Sequence, residues 1–514
     1  MRALPYAISY AWNRLSGGLA QSRALNQAYS RRHWDRFDTL LRNPGLPRPI
    51  AQLWTSMRAD YFQTLGDAPA AWKATVDVLT ARRHFLSYLA HQNYLSALIA
   101  DGDLARFKAA FPRQHREFGT GLPLNLVPSI GALFHRTGDH VGWLKFAAAM
   151  RATVPRGSRA LFDLKAFAYR HLAREAVGNT LGTSIPGGLH QWMVQHFQPH
   201  SPAAEVLAAH DACWEAIRGT SPTLLLEVRY RPQEVLALRN RVLAALQQRE
   251  PLMFLRLGDG EAYAFSNAAT DELPNFREDL ELLWWGKVLP PSLRAQIAED
   301  VQAATGAADI IGLPSTPRLA QVLHAFEPAP LSPASRKQLG LFQGVEGAVR
   351  SGNVSASWWV DEYANYAFVD PDALKELMAA ATRTILIGCF EIPAGHFLDR
   401  PDVKVVPIPP VQKVSRAHGV VSSERVLPEV LAEVEGQLIP LLQPGALCLL
   451  AAGIAGKSLL HLAKSHGAVA LDFGSGLDHV LGHRTRSPEL HHLFGPPHHL
   501  APIEGPPHGR ETDG

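Results

Sequence analysis

The second half of the sequence contains short runs in which apolar residues follow one another almost without polar interruption. Each run is followed by Gly or Pro, and stretches with helical spacing lie between most of the runs. Such runs are typical of strands buried on both faces of a mostly parallel sheet, and these folds bind ligands at the carboxyl ends of their strands. We therefore predict an α/β fold. The predicted strands are residues 252–257, 309–314, 384–389, 403–409, 446–453 and 468–474.

The first half is rich in Ala, Leu, Arg and aromatic residues, which favours helices. Gly-Asp pairs begin at residues 66, 102 and 138, a spacing of 36 in both intervals, and are followed by Trp72, Phe107 and Trp143. Stacked helix pairs produce such a period, with Gly in the turn and Asp capping the next helix. The pattern resembles a tetratricopeptide-type solenoid; a chance echo or a plain helical cap are the alternatives. We expect this region to bind a protein partner or to self-associate.

Around residues 218–223 the sequence changes from a helix-favouring composition to short apolar runs with helical segments between them. We predict a helical domain over residues 1–222 and an α/β domain over 223–490. Residues 491–514 are dense in Pro, Gly and His and have too few apolar residues to form a core, so a disordered tail is predicted there.

Length, composition and charge limit the classes of protein to which the chain can belong. At 514 residues, 46% hydrophobic and 19% charged, the chain is long enough for two or three globular units. The net charge is +3, and the basic excess of residues 1–150 is interpreted as a solvated helical surface, so no nucleic-acid partner is predicted. Three widely spaced cysteines argue against disulfides and zinc and fit the cytoplasm. The longest apolar runs are about half of the roughly 20 residues that a membrane span needs.

A pair of carboxylates follows the first long strand, in Gly258-Asp259-Gly260-Glu261. Gly260 would let Asp259 and Glu261 face one pocket, where they repel each other unless a cation lies between them. Mg²⁺ or Mn²⁺, with a diphosphate completing the coordination, meets that need. A carboxylate could instead bind sugar hydroxyls or act as a base. An N-cap Asp with a Glu in the first helical turn is the structural alternative, and the spacing alone does not decide.

A second glycine-rich turn, "GIAGKS", joins a predicted strand to a helix. It fails as a P-loop because Ala451 stands where the first glycine is required. Gly453, Gly456, Lys457 and Ser458 could still direct backbone N–H groups and a charge at a diphosphate, although a glycine turn before a helix is also common. No GxGxxG dinucleotide motif is present, which disfavours nicotinamide and flavin enzymes.

The strings "RLGDGEAYAF", "VKVVPIPP", "LLAAGIAGKSLLHLAK" and "ALDFGSGLDHVLG", in this order, resemble the GT-D fold glycosyltransferases over roughly residues 230–490. The resemblance implies a Rossmann-like domain in which an Asp-x-Glu motif, here Asp259 and Glu261, binds the diphosphate of a nucleotide sugar through Mn²⁺ or Mg²⁺. Members of that family extend glycans on bacterial surface proteins and lack the helical first half, which leaves the acceptor open.

These observations lead us to expect a metal-dependent glycosyltransferase acting on a protein or glycan acceptor that the helical domain recruits. The alternatives are a scaffold that binds a nucleotide or sugar without turnover and a metal-independent transferase such as a methyltransferase. Arg256 and Lys457 would offset charge on the leaving diphosphate, and Glu391 or Asp472 would be the base, unless these carboxylates are caps. The predicted catalytic residues are Asp259, Glu261, Glu391 and Asp472, and the predicted donor-binding residues are Arg256, Gly258, Gly260, Gly453, Gly456, Lys457 and Ser458.

Overall fold

A computed structural model describes residues 124–179, 182–197, 201–265, 275–322, 333–411 and 425–481, with isolated positions between 99 and 111. The predicted tail and the first Gly-Asp pair lie outside these residues. By its contacts the chain divides into two compact units. One comprises residues 1–156 with 486–492, and the other comprises residues 157–485 with 493–514.

The described part of the first unit contains a helix pair, α1 (Val127–Arg136) and α2 (His140–Thr153). Between them Gly138 has a φ of +72°, and the Asp139 carboxylate accepts the backbone N–H three residues later at 2.9 Å, so Asp139 caps α2. Trp143 is buried, and its ring centroid lies 5.7 Å from that of Phe134 on α1. Gly102 has the same φ as Gly138. The 36-residue solenoid itself stays a prediction.

The second unit contains an eight-stranded sheet in which every described strand pair is parallel. The strand order is β1-β4-β3-β2-β8-β7-β5-β6. The predicted parallel α/β sheet is therefore confirmed. The strands are β1 (Thr223–Leu225), β2 (Leu252–Arg256), β3 (Ile310–Leu313), β4 (Trp358–Asp361), β5 (Arg383–Gly388), β6 (Val403–Pro407), β7 (Ala446–Leu450) and β8 (Val469–Asp472).

Helices precede, connect and flank these strands. They are α3 (Arg159–Ala176), α4 (Ile185–His196), α5 (Pro202–Gly219), α6 (Pro232–Gln248), α7 (Phe276–Trp285), α8 (Pro291–Ala307), α9 (Thr316–Val322), α10 (Pro333–Arg350), α11 (Pro371–Ala380), α12 (Leu427–Leu438), α13 (Lys457–Ser465) and α14 (Ser475–Val480). Short 3₁₀ turns lie at Asp259–Ala264, Ala364–Phe368 and Ile454–Gly456.

Three of the helices that precede the sheet belong to the same compact unit as the sheet. Helix α5 packs along α10, and α3 and α4 pack on α9. The boundary between the two compact units, at residues 156 and 157, therefore differs from the domain boundary predicted at residues 222 and 223. The difference consists of α3, α4 and α5, whose helical sequence does not reveal what they pack against.

All six predicted strands are present, and two further strands were not predicted. Strand β1 has only three residues, too few for a periodicity. Strand β4 begins with Trp358 and Trp359, and Trp359 is 1% exposed and part of the core. Strands β2, β3, β7 and β8 are almost entirely buried, which explains their unbroken apolar sequences. Within the described residues, no helix is long and apolar enough to cross a membrane.

Candidate active site

Two neighbouring strands in the middle of the sheet end side by side at the same edge. Strand β2 ends at Arg256 and β8 ends at Asp472. The backbone N–H of Arg256 donates to Asp472 Oδ2 at 3.1 Å. The Asp472 carboxylate therefore accepts a hydrogen bond that a backbone carbonyl oxygen accepts elsewhere in the sheet. This bond fixes the carboxyl ends of β2 and β8 relative to each other.

The ammonium of Lys457, the first residue of α13, is buried beneath these strand ends, and the residue is 3% exposed. Its Nζ donates to the carbonyl oxygen of Arg256 at 2.8 Å and to the carboxylate of Asp472, and it lies 3.2 Å from Glu261 Oε1. Burial alone would lower the pKa of Lys457, but the Asp472 and Glu261 carboxylates outweigh it, so the pKa is raised. Lys457 is therefore a fixed cation that joins two carboxylates.

The guanidinium of Arg256 adds a second positive charge to the cluster. Its Nε donates to the carbonyl oxygen of Glu362 at 2.6 Å. Gly474 has a φ of +49°, and a Cβ there would lie 2.5 Å from an Arg256 guanidinium nitrogen, so glycine is required at 474. Burial would lower the pKa of Arg256, but the Asp472, Glu362 and Glu261 carboxylates raise it overall.

Glu261 belongs to the 3₁₀ turn Asp259–Ala264, whose start is closed by its own side chain. The backbone N–H of Gly258 donates to Glu261 Oε2 at 2.8 Å. A Cβ on Gly260 would lie 3.0 Å from the Trp284 ring, so the turn packs closely on α7. Tyr263 anchors its far end, because its hydroxyl donates to the buried Glu281 carboxylate at 2.6 Å. The position of Glu261 is therefore fixed from both ends of the turn.

The end of β4 contributes ionised side chains that the sequence reasoning missed. Asp361 is fully buried and accepts two hydrogen bonds from Arg229, at 2.6 and 2.8 Å. Arg318 lies 2.8 Å from Glu362 Oε1, and both arginines lie over the ring of Tyr363. The string "WWVDEY" did carry a signal, since it shows an apolar run ending in carboxylates, as β2 does.

Two carboxylate oxygens lie near Gly258. A Cβ on this glycine would lie 3.4 Å from Glu261 Oε2 and 3.6 Å from Glu362 Oε2, both ordinary van der Waals contacts. Carboxylate oxygens are the ligands that Mg²⁺ and Mn²⁺ prefer. No group of three or more His, Cys, Asp or Glu suited to a metal occurs among the described residues, and the side chain of Asp259 lies outside them.

The remaining predicted residues lie in different surroundings. Gly453 has a φ of +62°, and a Cβ on Gly456 would lie 2.3 Å from the Ala452 Cβ, so both glycines are needed to form the turn before α13. The hydroxyl of Ser458 donates weakly to a carbonyl in its own turn, at 3.5 Å. Glu391 is exposed beyond the end of β5, and within the described regions no hydrogen bond or ion pair joins it to the cluster. The structure therefore brings together Arg256, Glu261, Lys457 and Asp472, but not Glu391.

Comparison with known families agrees with this architecture. Residues 233–480 match the family model described as a GT-D fold-like domain, so the C-terminal half of the chain carries a GT-D-like domain. The match begins in α6 and ends at the last residue of α14, and it includes strands β2 to β8 with the whole cluster. No curated protein and no solved structure matches the chain.

Proposed function

We propose that this protein is a glycosyltransferase that binds a nucleotide sugar at the β2 and β8 strand ends and transfers the sugar to a protein or glycan acceptor. The observation that carries the proposal is the buried cluster of Lys457, Arg256, Glu261 and Asp472 inside a GT-D-like domain. Buried, strongly coupled ionisable groups at the carboxyl edge of a parallel sheet are characteristic of active sites.

The cluster by itself has no excess positive charge with which to bind a diphosphate. The cations of Lys457, Arg256 and Arg318 are matched by the carboxylates of Glu261, Glu362 and Asp472, as the ion pairs show. An anionic donor therefore needs added positive charge. A divalent cation at Glu261 and Glu362, with Asp259 as a further predicted ligand, would supply it and offset the charge that develops on the leaving nucleoside diphosphate.

Lys457 would act on the donor through its charge, because its ammonium already contacts three protein oxygens. Lys457 and Arg256 are held rigidly, so little reorganisation is required when negative charge develops beside them. In the turn before Lys457, a Cβ added on Gly453 would meet no atom within 4 Å, so a donor could approach the backbone closely at that glycine. Asp472 already accepts hydrogen bonds from Lys457 and Arg256, so we propose that it positions these groups and does not act as the base.

Calorimetric titration of the full chain with UDP and GDP, each with Mn²⁺ and with EDTA, tests the proposal. The key variant is Glu261→Gln, which keeps the shape and removes the charge. Glu433→Gln is the matched control, because Glu433 pairs with Arg425 on the surface and its side chain is 59% exposed. We expect metal-dependent nucleotide binding that Glu261→Gln weakens at least tenfold, about 1.4 kcal/mol, and the control does not.

Activity is then measured as release of the nucleoside diphosphate from the sugar conjugate of the nucleotide that binds. Nucleotide binding without release of the diphosphate in the presence of acceptors would favour a non-catalytic scaffold. If neither nucleotide bound with or without metal, the cluster would be structural, and Glu261 would serve only to close its turn. Recruitment of the acceptor by the helical region and a cytoplasmic location are further parts of the proposal.

A further inference from the structure

A cavity of about 730 Å³ lies between α4, α5, the chain after β1 and the start of α9. Its volume falls within the range of small-molecule sites. Most of its wall comes from residues 184–227, which precede the GT-D-like domain, and the domain contributes Glu234, Ser315 and Thr316. The cavity is therefore a feature that the family match does not contain.

The cavity opens on the same edge of the sheet as the ionic cluster. Ser315 and Thr316 follow β3 after one intervening residue, β3 pairs with β2, and neighbouring strands are about 4.8 Å apart. The Ser315 hydroxyl donates to the buried carboxylate of Asp361, so the wall of the cavity is tied to the end of β4. A molecule bound in the cavity would lie beside the strand ends that carry Arg256.

Two carboxylates on the cavity wall already have partners. Asp211 accepts from His190 Nε2 at 2.8 Å and lies 3.0 Å from His210 Nδ1. The Glu227 carboxylate accepts the backbone N–H of Ile185 at 2.7 Å and pairs with Arg231 at 3.4 Å. These carboxylates are therefore poor sites for a free cation.

Glu234 differs from its neighbours. Its Oε2 accepts the backbone N–H of Glu227 at 2.7 Å, and among the described residues its other oxygen has no partner. Burial, and then repulsion from Glu227, raise the pKa of Glu234 to about 7. Near neutral pH this carboxyl group therefore offers both a donor and an acceptor, as a ligand hydroxyl requires.

The rest of the wall is partly apolar and partly hydrogen-bonding. It combines the apolar surfaces of Pro186, Leu224 and Leu226 with the amide of Gln191 and the hydroxyl of Thr316. Alternating hydrogen-bonding groups and apolar surface match the hydroxyl groups and C–H faces of a sugar. The exposed Glu215 and Arg218 of the wall carry opposite charges, so the wall favours neither an anion nor a cation by charge alone.

We propose that this cavity is the acceptor site of the protein and that it binds a neutral saccharide, with Glu234 hydrogen-bonded to a sugar hydroxyl. The proposal rests on the proposed transferase function. It gives α4 and α5 a role in choosing the acceptor, next to a donor site built from the GT-D-like domain.

Saturation-transfer NMR of the full chain tests the site without a donor. The probes are glucose, galactose, N-acetylglucosamine and their disaccharides cellobiose, lactose and chitobiose, with spermidine as a cationic competitor. Gln191→Trp fills the cavity from an exposed position on α4, and Val194→Trp is its control, exposed on the same helix and not part of the wall. Glu234→Gln removes the ionisable oxygen.

We expect saccharide signals from wild type, Val194→Trp and Glu261→Gln, loss of the signals in Gln191→Trp, and binding about tenfold weaker in Glu234→Gln. The inference is overturned if no saccharide gives a signal with wild type, if Gln191→Trp keeps the signals, or if spermidine displaces the sugar. Nucleotide binding without saccharide binding would overturn this inference and leave the proposed function standing. Saccharide binding without any nucleotide binding would instead contradict the proposed donor site, and the cavity would then bind a sugar without being an acceptor site.

Discussion

Replacing Lys457 by Met removes the ammonium and keeps an unbranched side chain that fills the space up to the Cε position. The ammonium joins the carboxylates of Asp472 and Glu261 and the Arg256 carbonyl oxygen, and the lysine is 3% exposed. Removing one partner of a buried ion pair costs about 3–5 kcal/mol, because the remaining charges are left uncompensated. This is a large fraction of the roughly 5–15 kcal/mol that stabilises a typical domain.

Urea unfolding of the full chain, followed by tryptophan fluorescence, measures the loss. The expected shift of the midpoint is roughly 1–2 M. Lys375→Met is the control, because its partner Asp372 is 92% exposed, and such surface pairs contribute at most about 1 kcal/mol. The raised pKa of Lys457 sets the pH window: its contribution is complete below its ordinary pKa of 10.5 and is lost as the pH rises through the folded value. A midpoint shift no larger than that of the control would refute the buried cluster.

Three further predictions concern other parts of the fold. The pKa of Glu234 is raised to about 7, so this residue stabilises the fold at low pH and the stabilisation is lost as the pH rises from about 4.5 to 7. Glu234→Gln should therefore be more stable than wild type by about 1–2 kcal/mol at pH 8 and no more stable at pH 4. Urea unfolding at both pH values measures the difference. Gly456→Ala would place a Cβ 2.3 Å from that of Ala452 and should lower stability by about 1–3 kcal/mol, whereas an unchanged melting temperature would show that the turn relaxes freely. Asp139→Ala should lower the thermal stability of the first unit by about 1 kcal/mol through loss of the cap on α2, with Asp139→Asn closer to wild type.

The strands that the sequence predicted are those buried on both faces, because burial on both faces forces an unbroken apolar run. Strand β2 and its carboxylate turn were recognisable for this reason. Strand β4 was missed because its two tryptophans resemble a binding surface and its run is only four residues long. Because this run is so short, the carboxylates of Asp361 and Glu362 at its end were missed as well.

The contacts within the site were less predictable than its residues. Lys457 was expected to face a diphosphate from the start of its helix, but its ammonium bonds to Asp472 and lies 3.2 Å from Glu261. That contact depends on β8 pairing with β2, although their sequences are more than 200 residues apart. Strand order in a parallel sheet follows from how helices cover both faces, and an apolar run carries little information about its neighbour.

The central position of β8 also affects how the protein is made. Strand β8 pairs with β2 on one side and β7 on the other, and it is the last of the described strands along the chain. During synthesis, β2 and β7 must therefore wait with unpaired backbone edges until residues 469–472 have left the ribosome. Those edges are open to wrong pairing in the interval. Because Asp472 arrives with this strand, the ionic cluster can form only when the sheet closes, so a nascent chain that stops before β8 would lack both a continuous sheet and the cluster.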